Sequence, residues 1–170
     1  MANFYLVCGV SGSGKTVLSN KIIKKNKHIK LIDADSYYEK YNGDECIRDN
    51  IFEVWMEIFK DLHECEINNE DVLLTTTALT VAQRNQFTVW FPTFEHHLLW
   101  VIATREECIS GNLKRRRHVP LDVIMKQWKE TEYPNASEKD YETITHITNK
   151  WNGKYSAVRI KNDITQYIDL

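Results

Sequence analysis

The sequence predicts an α/β fold in which a parallel sheet is covered by helices on both faces. Three observations lead to this prediction. Strand-like and helix-like segments alternate along the chain, a glycine-rich stretch over 9–16 separates the first strand from the first helix, and several strand-like segments are apolar throughout. Connections between parallel strands are then right-handed crossovers. No internal repeat or linker interrupts the series, so we expect a single domain over residues 1–170.

The composition is typical of an ordinary globular chain. Hydrophobic residues make up 42% and charged residues 27% of the 170 positions, which allows a core without disulfides or a structural metal. The net charge of −2 provides no broad positive field for a long nucleic acid, so any such contact must be local. Because the sequence shows no targeting segment and no apolar run of about 18 residues, we expect a cytoplasmic protein without a membrane partner.

The first part of the chain has the pattern of two strand–helix units. An apolar run over 3–8 predicts a strand, and the helical spacing of apolar residues over Lys15–Lys25 predicts the helix after the glycine-rich stretch. A second strand is predicted over Ile29–Ile32. After a loop that contains Tyr37–Tyr41, apolar residues at intervals of three and four predict a long amphipathic helix over Glu45–Cys65.

A third strand and a fourth strand follow with a helix between them. The β-rich run Asp71–Thr77 predicts the third strand. Thr80 is a suitable N-cap for a helix that reaches about Phe91, where Pro92 stops it. The run His97–Ala103 predicts a fully buried strand.

The last part of the chain combines two polar helices with a hairpin. A polar helical segment is predicted over Arg105–Arg117, and a second helix over Leu121–Thr131. Alternation of β-branched residues predicts a strand over Tyr141–Thr148. The pair Asn152-Gly153 predicts a tight turn into Tyr155–Ile160, which would add an antiparallel edge strand to the sheet.

Residues Gly9–Thr16 match the phosphate-binding loop pattern GxxxxGK[ST] between a strand and a helix. In this pattern the glycines let backbone N–H groups turn toward phosphates, Lys15 bridges the β- and γ-phosphates, and the Thr16 hydroxyl binds Mg²⁺. The N-terminus of the following helix adds a partial positive charge. The residues predicted to bind ATP are Gly9, Gly12, Ser13, Gly14, Lys15 and Thr16.

Two carboxylates follow the second predicted strand. Asp33 and Asp35 lie at the carboxyl edge of the sheet, where doubly wound folds bind ligands, and a period of two aims both at one side. Phosphoryl transfer to an alcohol needs a carboxylate that can take the proton of the acceptor. Asp35 is the candidate base, and Asp33 would orient Mg²⁺ through water, although the roles can be exchanged. The structural alternative is that both cap the next helix near Ser36.

A basic cluster, Lys114–Arg117, lies in the predicted helix before Val119-Pro120. Small phosphate-loop kinases carry a mobile lid in this part of the chain, and lid arginines stabilise the charge of the γ-phosphoryl group. Successive helical residues point about 100° apart, so at most one or two of the three arginines can face a nucleotide. A charged face exposed to solvent is the alternative interpretation.

With these motifs the sequence resembles the 5′-kinase domain of phage-type polynucleotide kinases, a branch of the small P-loop kinases related in plan to shikimate and gluconate kinases. The resemblance rests on Gly9–Thr16, on Asp35–Tyr37, on Leu73–Thr77 before Arg84, and on Asn112–Asp122. It implies a P-loop kinase-like three-layer α/β/α fold with a parallel sheet, a helical lid over about 105–131 and a C-terminal antiparallel hairpin.

The resemblance also implies an activity and the residues that carry it. The protein would move the γ-phosphate of ATP, with Mg²⁺, to a hydroxyl of a nucleic acid or nucleoside. Lys15 and Thr16 would act at the nucleotide and Asp35 as the base. Arg115 would be the best-aligned lid arginine, and Arg116 the second choice.

The sequence departs from this family at three places. The family's Asp-Thr-Asn stretch after the third strand is Thr76-Thr77-Ala78 here, a substrate-contacting arginine aligns with Tyr38, and a lid arginine aligns with Gly111. Two other hypotheses therefore stay open. One is a small-metabolite kinase of the shikimate or gluconate kinase type, which the Asp33–Asp35 pair favours, and the other is a non-catalytic ATP-binding module that regulates a partner.

The tryptophans inside predicted elements are interpreted as packing residues. Trp55, Trp90, Trp100 and Trp128 occupy apolar positions of helices or strands, where packing is a more frequent role than base stacking. The loop Tyr37–Tyr41 could present aromatic faces to a nucleobase or pack under the long helix.

Overall fold

The computed structural model describes residues 1–116, 118–150 and 154–170. It has one six-stranded sheet with the spatial order β2-β3-β1-β4-β5-β6. Every neighbouring pair is parallel except β5 and β6, which are antiparallel. This arrangement confirms the predicted fold class. The strands are β1 Asn3–Cys8, β2 Lys30–Asp33, β3 Val72–Thr75, β4 Glu95–Ile102, β5 Thr143–Lys150 and β6 Lys154–Lys161.

In the described ranges, six α-helices connect or follow the strands. They are α1 Lys15–Lys25, α2 Ala34–Asn42, α3 Ile51–Asn68, α4 Val81–Trp90, α5 Arg105–Leu113 and α6 Leu121–Glu130, and one turn of 3₁₀ helix follows at Ile164–Gln166. No helix in the described part of the chain is long and apolar enough to cross a membrane.

The sheet separates two hydrophobic cores. Successive side chains of a strand point to opposite faces, so Phe4 and Leu6 of β1 pack with α3 and α4, whereas Tyr5 and Val7 pack with α1 and the C-terminal segment. All four side chains are fully buried. The result is the three-layer α/β/α architecture, with the carboxyl ends of β1 to β5 at one edge.

The second helix differs from the prediction. The Tyr37–Tyr41 segment is part of α2 rather than a loop, and the long helix begins at Ile51 rather than Glu45. The ends of α2 explain the difference. Asp33 caps its first turn by accepting a hydrogen bond from the N–H of Asp35, and Gly43 ends it in the left-handed conformation with φ 68°. A polar helix of this kind is fixed by its caps rather than by apolar spacing.

The predicted helix over Arg105–Arg117 is too long, because α5 ends at Leu113. Residues 114–116 form a turn instead, and Arg117 lies outside the described residues. The C-terminal hairpin is confirmed, because β5 and β6 pair antiparallel. Ile144 lies opposite Lys161 at one end, and Lys150 lies opposite Lys154 at the other. Its predicted Asn152-Gly153 turn also lies outside the described residues.

A buried ion pair joins α4 to the segment that follows α6. The guanidinium of Arg84 is fully buried and donates hydrogen bonds of 2.7 and 3.1 Å to the two carboxylate oxygens of Glu138. It also donates to the carbonyl oxygens of Leu79 and Glu132. Because these contacts use most of the donors of Arg84, the side chain holds α4 against the segment that follows α6.

Candidate active site

The predicted site residues surround a single cavity at the carboxyl edge of the sheet. The cavity has a volume of about 510 Å³. One wall is the P-loop over 12–16, the second is the end of β2 with the start of α2, and the third is formed by α5 and the turn after it. Every predicted site residue except Gly9 lines this cavity: Gly12, Ser13, Gly14, Lys15, Thr16, Asp33, Asp35, Arg115 and Arg116.

Two glycines allow α5 to lie directly against the P-loop. Gly12 has φ 84°, and a Cβ atom there would lie 2.1 Å from the carbonyl oxygen of Cys108. A Cβ atom on Gly111 would lie 2.2 Å from the carbonyl oxygen of Gly12. Both contacts are with backbone, which cannot move aside cheaply. The glycine at position 111 therefore has a packing role, and an arginine side chain would not fit there.

The P-loop holds an ammonium group and a hydroxyl toward the cavity. Lys15 is 6% exposed, and its Nζ donates hydrogen bonds of 3.0 Å to the carbonyl oxygens of Gly9 and Val10. Burial lowers the pKa of Lys15. The buried hydroxyl of Ser13 has no hydrogen-bond partner among the described residues. A triphosphate would supply acceptors to both groups, so these residues fit the nucleotide that the motif predicts.

Asp33 and Asp35 line the same cavity from two different elements. Asp33 ends β2 and caps α2, while Asp35 lies in the first turn of α2. The prediction that a strand spacing of two residues aims both carboxylates at one side is therefore wrong, since Asp35 is not in a strand. Both carboxylates still face one cavity, because the first turn of α2 brings Asp35 back toward it. Burial, together with the charge of Asp35, raises the pKa of Asp33 to about 6.

Two arginines flank the carboxylate of Asp35. The Nη2 of Arg48 donates a 2.9 Å hydrogen bond to Oδ1, and the Nη1 of Arg115 lies 3.8 Å from Oδ2. The guanidinium of Arg48 stacks over the ring of Tyr38, 4.1 Å from its centroid. Sequence reasoning missed Arg48 because it placed residue 48 inside a helix. One feature of the sequence pointed to Arg48. Tyr38 replaces an arginine of the family, and its ring provides the surface over which the guanidinium of Arg48 lies.

The lid is tied to the P-loop by side-chain amides. Asn112 donates to the carbonyl oxygen of Val119 and accepts from its N–H, at 2.8 and 2.9 Å, which closes the turn that carries Arg115 and Arg116. On α6, Oε1 of Gln127 accepts a 2.9 Å hydrogen bond from the N–H of Ser11. Because residues 114–116 form a turn rather than a helix, both Arg115 and Arg116 reach the cavity.

A magnesium ion would find oxygen ligands here. The Thr16 hydroxyl and the Asp33 carboxylate line the same cavity. No cluster of three or more His, Cys, Asp or Glu side chains that could hold a metal alone occurs in the part of the chain that the structure describes. This donor set fits Mg²⁺, which uses few protein ligands and is otherwise held by phosphate and water.

Comparison with known proteins agrees with this geometry. The sequence model of the AAA domain family matches residues 5–134. The thermosensitive gluconokinase of Escherichia coli (strain K12) is 26% identical over 143 residues, which cover 80% of this chain and 75% of the relative.

Solved structures share the fold at low sequence identity. An unliganded sugar kinase from Janibacter sp. HTCC2649 has a TM-score of 0.64 at 17% identity, over 88% of this chain and 85% of that one. A chain of the Pnkp1/Rnl/Hen1 RNA repair complex has a TM-score of 0.68 at 12% identity, over 76% of this chain and 43% of that one. The narrower resemblance to phage-type enzymes stays a prediction. The family match spans most of the chain, from the P-loop to the lid, so the chain belongs to the AAA domain family and is a P-loop kinase.

Proposed function

We propose that the protein transfers the γ-phosphate of ATP to an alcohol hydroxyl, with Asp35 as the base. The observation that carries this proposal is the shared cavity, which brings a carboxylate, a P-loop lysine and two lid arginines to one place. A nucleotide switch or motor needs no carboxylate flanked by arginines at that position. A kinase does, because its acceptor must lose a proton while the transferring group is neutralised.

The P-loop would hold the phosphates. Lys15 would exchange its bonds to the Gly9 and Val10 carbonyl oxygens for bonds to the β- and γ-phosphates, and the Ser13 hydroxyl would gain an acceptor. Thr16 and Asp33 would hold Mg²⁺, directly or through water. The ion would supply charge neutralisation at the β- and γ-phosphate oxygens.

Asp35 would receive the proton of the acceptor hydroxyl. Oδ1 accepts from Arg48, which orients the carboxylate and leaves Oδ2 to face the acceptor. Arg115 lies close to Oδ2, and it lines the cavity together with Arg116, so both can bind the transferring phosphoryl group. The arginines would stabilise charge that develops in the transition state, which is the contribution that raises kcat.

Two acceptor classes are supported by different observations. A nucleic-acid or nucleoside hydroxyl is supported by the motif resemblance and by the fold shared with a chain of the RNA repair complex. A sugar-acid metabolite is supported by the 26% identical gluconokinase. The positively charged residues at the cavity would bind the phosphates of ATP with either acceptor, so they do not distinguish a nucleic-acid or nucleoside acceptor from a sugar acid.

Transfer from γ-labelled ATP tests the proposal. The acceptor panel should contain nucleosides, 5′-hydroxyl oligonucleotides, gluconate and shikimate. We expect Lys15→Ala to abolish ATP binding, and Asp35→Asn to keep ATP binding but lower kcat at least about 100-fold. Asp49→Asn, an exposed carboxylate on the neighbouring loop, is the matched control. Near-normal turnover by Asp35→Asn would remove Asp35 as the base, and ATP binding without any labelled acceptor would favour the regulatory module.

A further inference from the structure

A second cavity opens beside the first one and has a different chemistry. It lies between α3 and α4 at the end of β3 and has a volume of about 600 Å³, which is in the range of small-molecule sites. Its lining is mostly apolar and, among the described residues, includes no charged side chain. The large apolar side chains that line it are Ile51, Phe52, Trp55, Met56, Phe59, Phe87 and Trp90.

The aromatic side chains form a continuous wall. Phe59 meets Trp90 edge to face with centroids 4.9 Å apart, and Trp55 lies 5.7 Å from Phe59 and 6.2 Å from Phe87. Part of this wall faces solvent, since Phe52 is 73% and Trp90 48% exposed. The prediction that Trp90 packs inside the fold is therefore only half right, because a core residue would not keep half its surface in water.

Polar groups stand at the rim of this wall. The side-chain amides of Gln83 and Gln86 line the cavity together with Thr76 and Thr77. Oε1 of Gln83 is occupied by the backbone N–H groups of Leu79 and Thr80, which leaves its NH₂ group as a donor. An aromatic wall with amides at its rim is suited to a flat ring that carries hydrogen-bonding groups on its edge.

The cavity lies close to the end of β2, where Asp33 and Asp35 line the first cavity. Asp33 pairs with Thr75 on the neighbouring strand, and Thr77 follows two residues after Thr75. Strand spacing and chain reach together place the Thr77 Cα within about 12 Å of the Asp33 Cα. Side-chain contacts also connect the sites, because the Nε1 of Trp55 donates to the hydroxyl of Tyr38, and Tyr38 supports Arg48 at Asp35.

We propose that the cavity between α3 and α4 binds the planar aromatic ring of the phosphate acceptor. This inference rests on the proposed function and narrows its acceptor to a ring-bearing alcohol, either a nucleoside or another aromatic alcohol. A ring held against this wall near Trp55 would present its hydroxyl past the end of β3 toward Asp35. A sugar acid does not fit, since its carboxylate would find no cationic side chain on this wall.

Calorimetric binding without ATP tests the site independently of transfer. The probes are adenosine, uridine, the indole alcohol tryptophol, and gluconate. We expect at least one ring compound to bind the wild-type protein, and Trp90→Ala and Phe52→Ala to weaken that binding about tenfold or more. Val89→Ala is the matched control, because Val89 is 70% exposed on the same helix and lies outside the cavity lining. The relative affinities of the nucleosides and tryptophol distinguish the two sources of the ring.

Two outcomes would overturn the inference: no ring compound binds, or the ring compounds bind Trp90→Ala and Phe52→Ala as well as the wild type. If gluconate is phosphorylated at the same kcat/KM by Trp90→Ala and wild type while no ring compound binds, the kinase proposal stands and the ring site fails. If rings bind with the expected loss in the variants but no acceptor is phosphorylated, the ring site stands and the kinase proposal fails.

Discussion

At the scale of single residues, the site depends on how Asp35 is held. Its carboxylate lies between Arg48 and Arg115, and Arg48 is itself supported by the ring of Tyr38. The P-loop and the carboxylate could be predicted because their motif and spacing are local in the sequence. Arg48 could not, since its position depends on where α2 ends and on a ring ten residues earlier.

Arg48 is expected to act as a positioning residue for Asp35. We predict that Arg48→Met lowers kcat about tenfold and leaves ATP affinity unchanged, because the carboxylate loses the hydrogen bond that orients it. Arg48→Lys should recover only part of the loss, since an ammonium cannot both stack and donate as a guanidinium does. Steady-state kinetics with ATP and the best acceptor measure both values. Arg159→Met, on exposed β6, is the control, and equal kcat in both methionine variants would contradict the role.

At the scale of elements, close packing of α5 on the P-loop sets the shape of the phosphate-binding loop. Within the described residues, sequence periodicity located α1, α4, α6 and the six strands to within about two residues, because apolar spacing and caps decide them. It failed at α2 and at the end of α5. Both segments are polar, so their limits are set by the Asp33 cap, by Gly43, and by the Asn112 contact with Val119. These are contacts between residues, which composition does not reveal.

The contact between Gly111 and Gly12 gives a prediction at this scale. The Cβ atom of Gly111→Ala would lie 2.2 Å from a P-loop carbonyl oxygen, so α5 and the loop must separate. We expect ATP affinity to fall about tenfold or more and the free energy of unfolding to fall by about 1–3 kcal/mol. Calorimetric ATP titration and urea unfolding measure the two effects. The exposed neighbour provides the control Ser110→Ala, and unchanged ATP affinity in Gly111→Ala would show that the packing is not needed.

At the scale of the whole molecule, buried polar groups link parts of the chain that are distant in sequence. His97 of β4 is fully buried and contacts the hydroxyl of Thr143 and the side-chain oxygen of Asn3, both at 3.1 Å. Its ring also lies 4.3 Å from that of Tyr167 near the C-terminus. A neutral ring satisfies these contacts by donating to Asn3 and accepting from Thr143, whereas a second proton would place a positive charge on a fully buried ring.

This arrangement makes stability depend on pH. Burial, and to a smaller extent the neighbouring His96, lowers the pKa of His97 to about 4. The unfolded chain, with a pKa near 6.5, therefore binds the proton first, so this contribution is complete above about pH 6.5 and decreases as the pH falls toward 4. The loss is on the order of 3 kcal/mol. Urea unfolding between about pH 7.5 and 4.5 measures it.

Two variants separate His97 from other titrating groups. His97→Gln should unfold more easily at neutral pH but show a flatter pH dependence than the wild type. His118→Gln, at an exposed position, should keep the wild-type slope. Parallel curves for His97→Gln and the wild type would assign the pH dependence to other residues.

The end of β3 separates the two cavities, and this has a consequence for how such a protein can change over evolution. The phosphate-binding loop lies between β1 and α1 and packs against α5, whereas the aromatic wall is formed by α3 and α4. On the ring-site proposal, substitutions on α3 and α4 alter the choice of acceptor and leave the phosphate-binding residues unchanged. Solved structures at 12–17% identity share this fold. If the ring site binds the acceptor, the exposed wall residues are where a library that changes acceptor preference should be placed.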